Sequence, residues 1–311
     1  MSQKKWDSND IPDQKGKVAI VTGSSSGIGY ETARVLANKN AEVIMAVRNL
    51  QKGNAALDKI KAGYQDADVK VMELDLASLE SLRRFAEDFK KTFSRLDLLI
   101  NNAGVMMPPY SKTADGFELQ FGTNHLGHFA LTGLLMDLII NTENSRVVNV
   151  SSTSHKSGKI DFNDLDWEKR TYKKMRAYGD SKIANIYFTF ELQRKLERAG
   201  SNTSAVASHP GWTRTELQRH VGFIHFLNRF LSQGIDIGAL PTLYAAIAPD
   251  VKGGDYYGPA GWQEMRGYPK KVGSNKLSQD KDIAQKLWRV SKKLTGIEYE
   301  SLIAERLDLV S

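Results

Sequence analysis

The chain has 311 residues, a length that fits one large α/β domain or two small ones. Its 41% hydrophobic content is enough for a sizeable buried core, and the absence of cysteine excludes disulfides, thiolate nucleophiles and zinc–cysteine sites. The formal net charge of +7 comes from basic residues scattered along the chain, so we attribute it to a solvated, lysine-rich surface. Attraction to a polyanion or to a phosphorylated cofactor is the alternative.

The start of the chain, from Met1 to Asp7, is polar and carries mixed charge, unlike a signal peptide. No uncharged apolar run reaches roughly 18 residues, which is the length that a membrane-spanning helix requires. We therefore expect a soluble, cytoplasmic protein that has a small-molecule partner, no nucleic-acid partner and no transmembrane segment.

Six short apolar runs predict strands that are buried on both faces, as in a parallel sheet. They are Lys17–Thr22, Ala41–Val47, Val69–Leu74, Leu96–Ile100, Arg146–Val150 and Ser204–Ser208. A seventh, short strand is expected at Tyr256 and Tyr257. Helical patterns lie between the strands, among them an apolar stripe from Leu79 to Phe89 with Ser78 as a candidate N-cap. This alternation predicts an α/β fold with a doubly wound (Rossmann), mostly parallel sheet of about seven strands and helices on both faces.

No repeat, low-complexity tract or linker divides the chain, so we expect a single domain. Residues 17–217 are predicted to form the cofactor-binding and catalytic core, residues 218–275 a substrate lid and loops, and residues 276–311 a C-terminal helix and tail. Apolar residues from Ile283 to Leu294 mark that helix, which we expect to end near Gly296. Asn40 stands where a left-handed residue is expected to end an earlier helix.

A glycine-rich segment, Thr22–Gly29, directly follows the first predicted strand and opens a helix. Glycine lets a backbone turn tightly and approach a pyrophosphate, and a helix N-terminus offers free N–H groups to it. A structural turn is the alternative explanation. The strand–turn–helix setting favours a dinucleotide site.

The end of the second strand bears on which cofactor is used. In the common NAD-binding pattern an acidic residue about 20 positions further on holds the ribose 2′-hydroxyl. Here the strand ends in Val47-Arg48-Asn49, without a carboxylate. The Arg48 guanidinium can bind a 2′-phosphate through charge-assisted, bidentate hydrogen bonds. The sequence therefore predicts NADP(H), with NAD(H) as the alternative if Arg48 is only an exposed strand-end charge.

Tyr178 and Lys182 are four residues apart on a predicted helix and so share one face of it. A phenol near pKa 10 exchanges protons poorly at neutral pH unless its anion is stabilised. A nearby ammonium and an oxidised nicotinamide both favour the phenolate, so we expect Lys182 to lower the pKa of Tyr178. Alone, such a pair is as easily a core tyrosine beside a surface lysine.

Three further segments follow predicted strands and should meet at the same edge of the sheet, where ligands bind in such folds. They are Asn101–Gly104 (NNAG), the serines that end Val147–Ser152 (VVNVSS), and Pro210-Gly211. With these neighbours, Tyr178 and Lys182 are interpreted as the chemical centre of a nicotinamide-dependent oxidoreductase.

Taken in order, these motifs resemble those of the short-chain dehydrogenase/reductase family. TGSSSGIG, NNAG, VVNVSS, YGDSK and HPGWTRTEL are the matching segments between residue 17 and about residue 217. Within the family the chain looks most like the retinol-dehydrogenase-like branch. The supporting features are the stretch Asn124–Phe129 (NHLGHF) and the long insert from Thr153 to Ala177.

The resemblance implies a role for each matching residue. Tyr178 would be the general acid/base, Lys182 its electrostatic partner, and Ser152 a hydrogen-bond donor to the substrate oxygen. Asn124 would hold a water that relays protons to Lys182. The cofactor residues implied are Gly23, Ser25, Ser26, Gly27, Ile28, Gly29, Arg48, Asp75, Leu76, Asn102, Ala103, Gly104, Tyr178, Lys182, Pro210, Gly211, Thr213 and Thr215. The family expects hydrophobic residues after Pro-Gly, and Trp212 and Thr213 depart from that pattern in part.

The predicted substrate pocket is apolar. Its candidate residues are Met106, Met107, Trp212, Phe223 and Phe226, the last two in an aromatic helix that would roof the pocket or else pack on the body or on another subunit. Such a pocket favours an aldehyde, ketone or alcohol of retinoid, steroid or lipid type. The six histidines show no ligand spacing with carboxylates, so no metal is expected.

Two other kinds of function compete with an active oxidoreductase of this branch: a binding protein without turnover, and a different enzyme of the same superfamily. A catalytically idle nucleotide-binding regulatory protein of the same fold would be expected to lack Tyr178, Lys182 or Ser152, and all three are present. A sugar-nucleotide epimerase would carry a different glycine spacing, and a protochlorophyllide reductase would use cysteines. By resemblance, a homodimer or homotetramer is expected.

Overall fold

The computed structural model describes residues 5–213 and 233–302 of the chain. The predicted residues Thr215, Phe223 and Phe226 lie outside the described residues, as does most of the C-terminal tail. The roles assigned to them stay predictions.

The described secondary structure alternates strands and helices for most of its length. The strands are β1 (Val18–Thr22), β2 (Glu42–Val47), β3 (Val69–Glu73), β4 (Leu98–Asn101), β5 (Arg146–Val150), β6 (Ser204–Ser208), β7 (Tyr256–Pro259) and β8 (Pro269–Lys271). The helices are α1 (Gly27–Asn38), α2 (Leu50–Gly63), α3 (Leu79–Thr92), α4 (Leu119–Phe121), α5 (Gly127–Leu134), α6 (Met136–Ile140), α7 (Lys174–Arg198), α8 (Ile235–Ile247) and α9 (Lys281–Thr295). None of these helices is both long and apolar enough to cross a membrane.

The strands form one sheet in the order β3-β2-β1-β4-β5-β6-β7-β8. All neighbouring pairs are parallel except β7 and β8, which are antiparallel. The order reverses beside β1, which pairs with both β2 and β4. In such sheets a crevice opens outside the carboxyl ends of the strands at the reversal. The predicted doubly wound, mostly parallel α/β fold in a single domain is confirmed.

Side chains of β1 alternate between two hydrophobic layers. Ala19 and Val21 pack with residues of α1, α2 and α8, whereas Val18 and Ile20 pack with residues of α3, α5 and α7. A buried aliphatic side chain of this kind stabilises the fold by about 1.5–3 kcal/mol. The two layers hold the carboxyl ends of the central strands in fixed positions relative to one another.

Local signals at helix ends are confirmed. The Ser78 side chain accepts the Ser81 N–H and begins α3. Asn40 has a left-handed backbone with φ of 67° after α1, and Gly296 has φ of 64° directly after α9. These positions follow from the conformations that capping residues and left-handed residues allow.

Two elements differ from the sequence expectation. The sheet has an eighth strand, β8, whose Pro269, Lys270 and Lys271 show no apolar alternation because the strand lies at the sheet edge. Helix α8 lies inside the interval predicted as lid and loops, yet it packs its buried Ala239 and Leu243 in the core. Its uniformly apolar sequence lacks the polar face that marks a surface helix.

Candidate active site

A large cleft lies along the carboxyl ends of the central strands, with a volume of about 1170 Å³. Of the predicted catalytic residues, Ser152, Tyr178 and Lys182 line it. Of the predicted substrate residues, Met106, Met107 and Trp212 line it. The predicted cofactor residues that lie on its wall are Gly23, Ser25, Ser26, Gly27, Ile28, Gly29, Arg48, Asp75, Leu76, Asn102, Ala103, Gly104, Tyr178, Lys182, Pro210, Gly211 and Thr213. Residues predicted from separate motifs thus share one space.

The glycine-rich loop forms a tight cradle at the start of α1. Gly23 has φ of 67°, and a Cβ there would lie 2.8 Å from the Cβ of Ala103. A Cβ on Gly29 would lie 2.6 Å from the Gly23 carbonyl oxygen. The N-cap residue Ser26 makes no side-chain capping bond, so the first N–H groups of α1 are left for a ligand. This cradle fits the pyrophosphate of a dinucleotide.

Thr22 ties the neighbouring NNAG segment to the end of β1. Its hydroxyl oxygen accepts the N–H groups of Asn102 and Ala103 at 2.9 and 3.0 Å. The same oxygen lies 2.9 Å from Nε2 of the buried His128. Burial lowers the pKa of His128 to about 4, so the ring is neutral at pH 7. In the described part of the chain, no three His, Asp or Glu side chains are grouped to hold a metal ion.

Three basic side chains line the cleft beside the end of β2. Arg48 was predicted from its position after the strand, whereas Lys52 and Lys59 of α2 were not. They are seven residues apart, two helical turns, and so point from the same face of α2. Within the described ranges no carboxylate is paired with any of the three cations. A helical-wheel projection of α2 could have identified Lys52 and Lys59, because it shows which side chains lie on one face of the helix.

Tyr178, Ser152 and Lys182 surround the middle of the cleft. The Lys182 ammonium nitrogen lies 5.7 Å from the centre of the Tyr178 ring and donates to the Val150 carbonyl at 3.1 Å. Burial lowers the pKa of Lys182 to about 8. Burial also raises the pKa of Tyr178 to about 12, against a smaller lowering by its hydrogen bond with Ser152.

In the cofactor-free protein the pKa of Tyr178 is thus raised, whereas a lowered pKa was expected, because the burial of the phenolate outweighs the hydrogen bond with Ser152. Tyr178 is consequently protonated at neutral pH. In that state it can donate a proton. The contribution of Lys182 stays a prediction.

Asn124 lies behind the cleft wall rather than on it. Its side-chain amide donates to Val105 O and Ser181 Oγ, both at 3.0 Å, and its oxygen accepts the Val105 N–H at 2.8 Å. Its backbone carbonyl lies 3.0 Å from His128 Nδ1. The side chain thus joins the NNAG segment to the helix that carries Tyr178. Its role in holding a water stays a prediction.

The far end of the cleft is mainly apolar. Leu119, Pro108 and Met175 line it in addition to the predicted residues, and the Met175 side chain is 64% exposed at the mouth. The backbone N–H of Met107 donates to the buried Gln120 side chain at 2.9 Å, which holds this loop in place. Met175 could have been suspected from its place three residues before Tyr178 on α7.

Comparisons with known proteins agree with this geometry. The family model described as short chain dehydrogenase matches residues 17–222. Retinol dehydrogenase 12 of Homo sapiens is 43% identical over 290 residues, which cover 92% of this chain and 88% of that protein. Retinol dehydrogenase 13 of Homo sapiens is 41% identical over 299 residues, which cover 92% and 87%.

Solved structures are similar as well. An uncharacterized protein from Mycobacterium Paratuberculosis has 43% identity and a TM-score of 0.81, covering 95% of this chain and 99% of that chain. The NADP active-site complex of RhlG from Pseudomonas aeruginosa has 22% identity and a TM-score of 0.64, covering 78% and 94%. At that identity the second likeness shows the fold alone.

Proposed function

The chain belongs to the short-chain dehydrogenase family, in its retinol-dehydrogenase-like branch, and on that premise we propose that it is an NADP(H)-dependent enzyme that interconverts an apolar alcohol and its aldehyde or ketone. The observation that carries the proposal is that Ser152, Tyr178 and Lys182 line the same cleft as the glycine cradle. A proton donor and a dinucleotide site in one space are what a carbonyl reduction needs.

The residues divide the work of the reaction. A bound nicotinamide cofactor supplies the hydride to the carbonyl carbon in reduction, or accepts it in alcohol oxidation. Tyr178 donates its phenolic proton to the substrate oxygen, and Ser152 hydrogen-bonds the same oxygen. The phenolate that remains is stabilised by the Lys182 ammonium, which is protonated at pH 7 with a pKa of about 8. In the oxidation direction the same groups act in reverse.

NADP(H) preference is supported by the charge at the end of β2. Arg48, Lys52 and Lys59 supply three cations to the cleft wall, and no carboxylate stands directly after the strand. A 2′-phosphate would neutralise part of this charge. A charged hydrogen bond contributes about 1.5–3 kcal/mol, which corresponds to roughly 10- to 100-fold in affinity.

An apolar substrate is supported by the far end of the cleft, which Met106, Met107, Leu119 and Met175 line. Flexible methionine side chains adapt to bulky apolar ligands. Two relatives about 42% identical are named as retinol dehydrogenases, so a retinoid or another long apolar aldehyde is the first substrate to test. A catalytically idle nucleotide-binding protein is not favoured, since the whole proton-transfer set is present.

The test is NADPH oxidation by the purified protein with aldehydes and ketones of increasing apolar length, retinal included, and with NADH in parallel. We expect kcat/KM to increase with apolar length and to be at least tenfold higher with NADPH than with NADH, by the affinity argument above. Preference for NADH would refute the cofactor assignment. Absence of turnover across the panel in both directions would refute the activity.

A further inference from the structure

The turn between β7 and β8, residues 260–268, contacts the turn after β6, whose Trp212 lines the cleft, and we call residues 260–268 the hairpin tip. It is closed by hydrogen bonds from Ala260 N to Tyr268 O at 2.7 Å and from Gly261 N to Arg266 O at 2.8 Å. Gln263 and Glu264 both have positive φ, 49° and 60°, which is unfavourable for residues with a side chain. Two such residues in succession indicate that contacts with the rest of the protein hold the backbone in this unfavourable conformation.

Glu264 supplies those contacts. One carboxylate oxygen lies 3.0 Å from His209 Nε2, and the other lies 3.2 Å from Lys156 Nζ. His209 is fully buried, and the Glu264 side chain is only 20% exposed. The hydrogen bond from His209, followed by that from Lys156, lowers the pKa of Glu264 to about 2. Glu264 is therefore a partly buried anion held between two donors.

The first donor leads to the turn after β6. His209 Nδ1 accepts the Gly211 N–H at 3.2 Å, so the ring proton is on Nε2, directed at Glu264. The hairpin tip makes a second bond to the same turn, because Trp212 N–H donates to the Met265 carbonyl at 2.7 Å. Gly211 and Trp212 both line the cleft.

The second donor leads to the catalytic serine. Lys156 lies in the 3-10 turn Thr153–Ser157, which begins directly after Ser152. The preceding residue in that turn, His155, hydrogen-bonds through Nδ1 to the Ser152 carbonyl at 2.7 Å. A shift of Lys156 is therefore transmitted to Ser152 through a short, hydrogen-bonded segment.

We infer that Glu264 is a positioning residue for the reaction, joining the segment that carries Ser152 to the Gly211–Trp212 turn across the substrate end of the cleft. Its side chain does not line the cleft, so it would act through the residues that do. It lies outside residues 17–222, the part matched by the family model. The inference rests on the proposed function, because its readout is turnover.

The first test is Glu264→Gln, which keeps the size of the side chain. His209 and Lys156 donate to different carboxylate oxygens of Glu264. In the amide one of these two positions becomes an NH2 donor, so one connection is lost. A misplacement of about 1 Å at a reacting group can cost 10²-fold in rate, so we expect kcat to fall about 10- to 100-fold. The NADPH dissociation constant should change less than kcat does, because the glycine cradle and the basic residues after β2 lie on segments that Glu264 does not contact.

The matched control is Glu168→Gln, which breaks the exposed ion pair with Lys112 at 2.5 Å, away from the cleft. It should leave kcat within about twofold, as expected of an exposed pair. Lys156→Met removes only one of the two connections, from a side chain that is 48% exposed, and should lower kcat less than Glu264→Gln does. This variant keeps the inference testable if Glu264→Gln fails to fold.

A double-mutant cycle separates positioning from a general structural role. If Glu264 acts through Ser152, then Glu264→Gln should cost less than about threefold in a Ser152→Ala background, because coupled residues are not additive. An equal loss in both backgrounds, or activity of Glu264→Gln equal to that of Glu168→Gln, would overturn the inference. Wild-type protein without any turnover would refute the proposed function instead.

Discussion

The cofactor end of the cleft and its substrate end are built from different kinds of contact. At the cofactor end the cradle spans Gly23 to Gly29, and the basic residues run from Arg48 to Lys59, so each group belongs to one continuous segment. At the substrate end the wall residues Ser152 and Trp212 belong to segments that are joined through Lys156 and Glu264, which are 108 positions apart in the chain. Local sequence motifs therefore predict the cofactor end well and the substrate end poorly.

The difference has a physical origin. A phosphate is bound by backbone N–H groups and by cations, which one loop and one helix can supply. An apolar substrate needs walls from several elements, and a wall residue is recognised only when the packing brings it there. The predictions below test whether the two ends can be changed independently.

Tyr178→Phe, at the junction of the two ends, should have the largest effect. Loss of the proton donor should reduce kcat by roughly 10²–10⁴-fold, and NADPH should still bind within about threefold of wild type. Steady-state kinetics and fluorescence titration with NADPH measure both. Tyr187→Phe is the matched control, since Tyr187 lies on the same helix and donates to the Leu277 carbonyl, outside the cleft. Near-normal turnover by Tyr178→Phe would show that another group donates the proton.

Arg48→Gln should change the cofactor end alone. We expect the KM for NADPH to rise about 10- to 100-fold, and the KM for NADH and for the carbonyl substrate to stay nearly constant, because only the 2′-phosphate loses a charged partner.

Lys61→Gln is the control for that variant, because Lys61 is in the last turn of the same helix α2 and does not line the cleft. The ratio of NADPH to NADH kcat/KM decides the outcome. An unchanged ratio in Arg48→Gln would show that Arg48 does not set a preference for NADPH over NADH. That preference would then depend on Lys52 and Lys59 or would not exist.

Lys182→Met should lower activity but stabilise the cofactor-free fold, because it removes a buried charge. Burial lowers the pKa of Lys182 from 10.5 to about 8 in the folded protein. The unfolded chain therefore binds more protons between these pH values, and wild-type stability increases as pH rises through them.

Below pH 8 the buried charge costs the wild-type fold up to roughly 3 kcal/mol, so Lys182→Met should be more stable there. The gain should vanish near pH 10.5. Urea unfolding of the cofactor-free protein at several pH values measures it. Lys174→Met, exposed on the same helix, should change stability by less than about 0.5 kcal/mol at all of them. A destabilised Lys182→Met at pH 7 would contradict the assigned cost of burial.

Much of the fold was predictable because its signals are local. Six apolar runs and the helices between them are enough to indicate a doubly wound sheet, and Ser78, Asn40 and Gly296 mark helix ends through their own conformational preferences. Strand β8 escaped prediction because an edge strand made of proline and lysines resembles a loop. Helix α8 escaped because it is buried on most sides.

The candidate site, too, has parts that the sequence predicted and parts that it did not. The amino-acid sequence by itself determined the glycine cradle, the Tyr178–Lys182 pair and the cation after β2, because each depends on residues within a few positions of one another. Only the tertiary structure decided that Lys59 reaches the cleft and that Glu264 joins His209 to Lys156. It also decided that the pKa of Tyr178 lies above that of an isolated phenol, since the burial that raises this pKa depends on what the rest of the chain packs around the side chain.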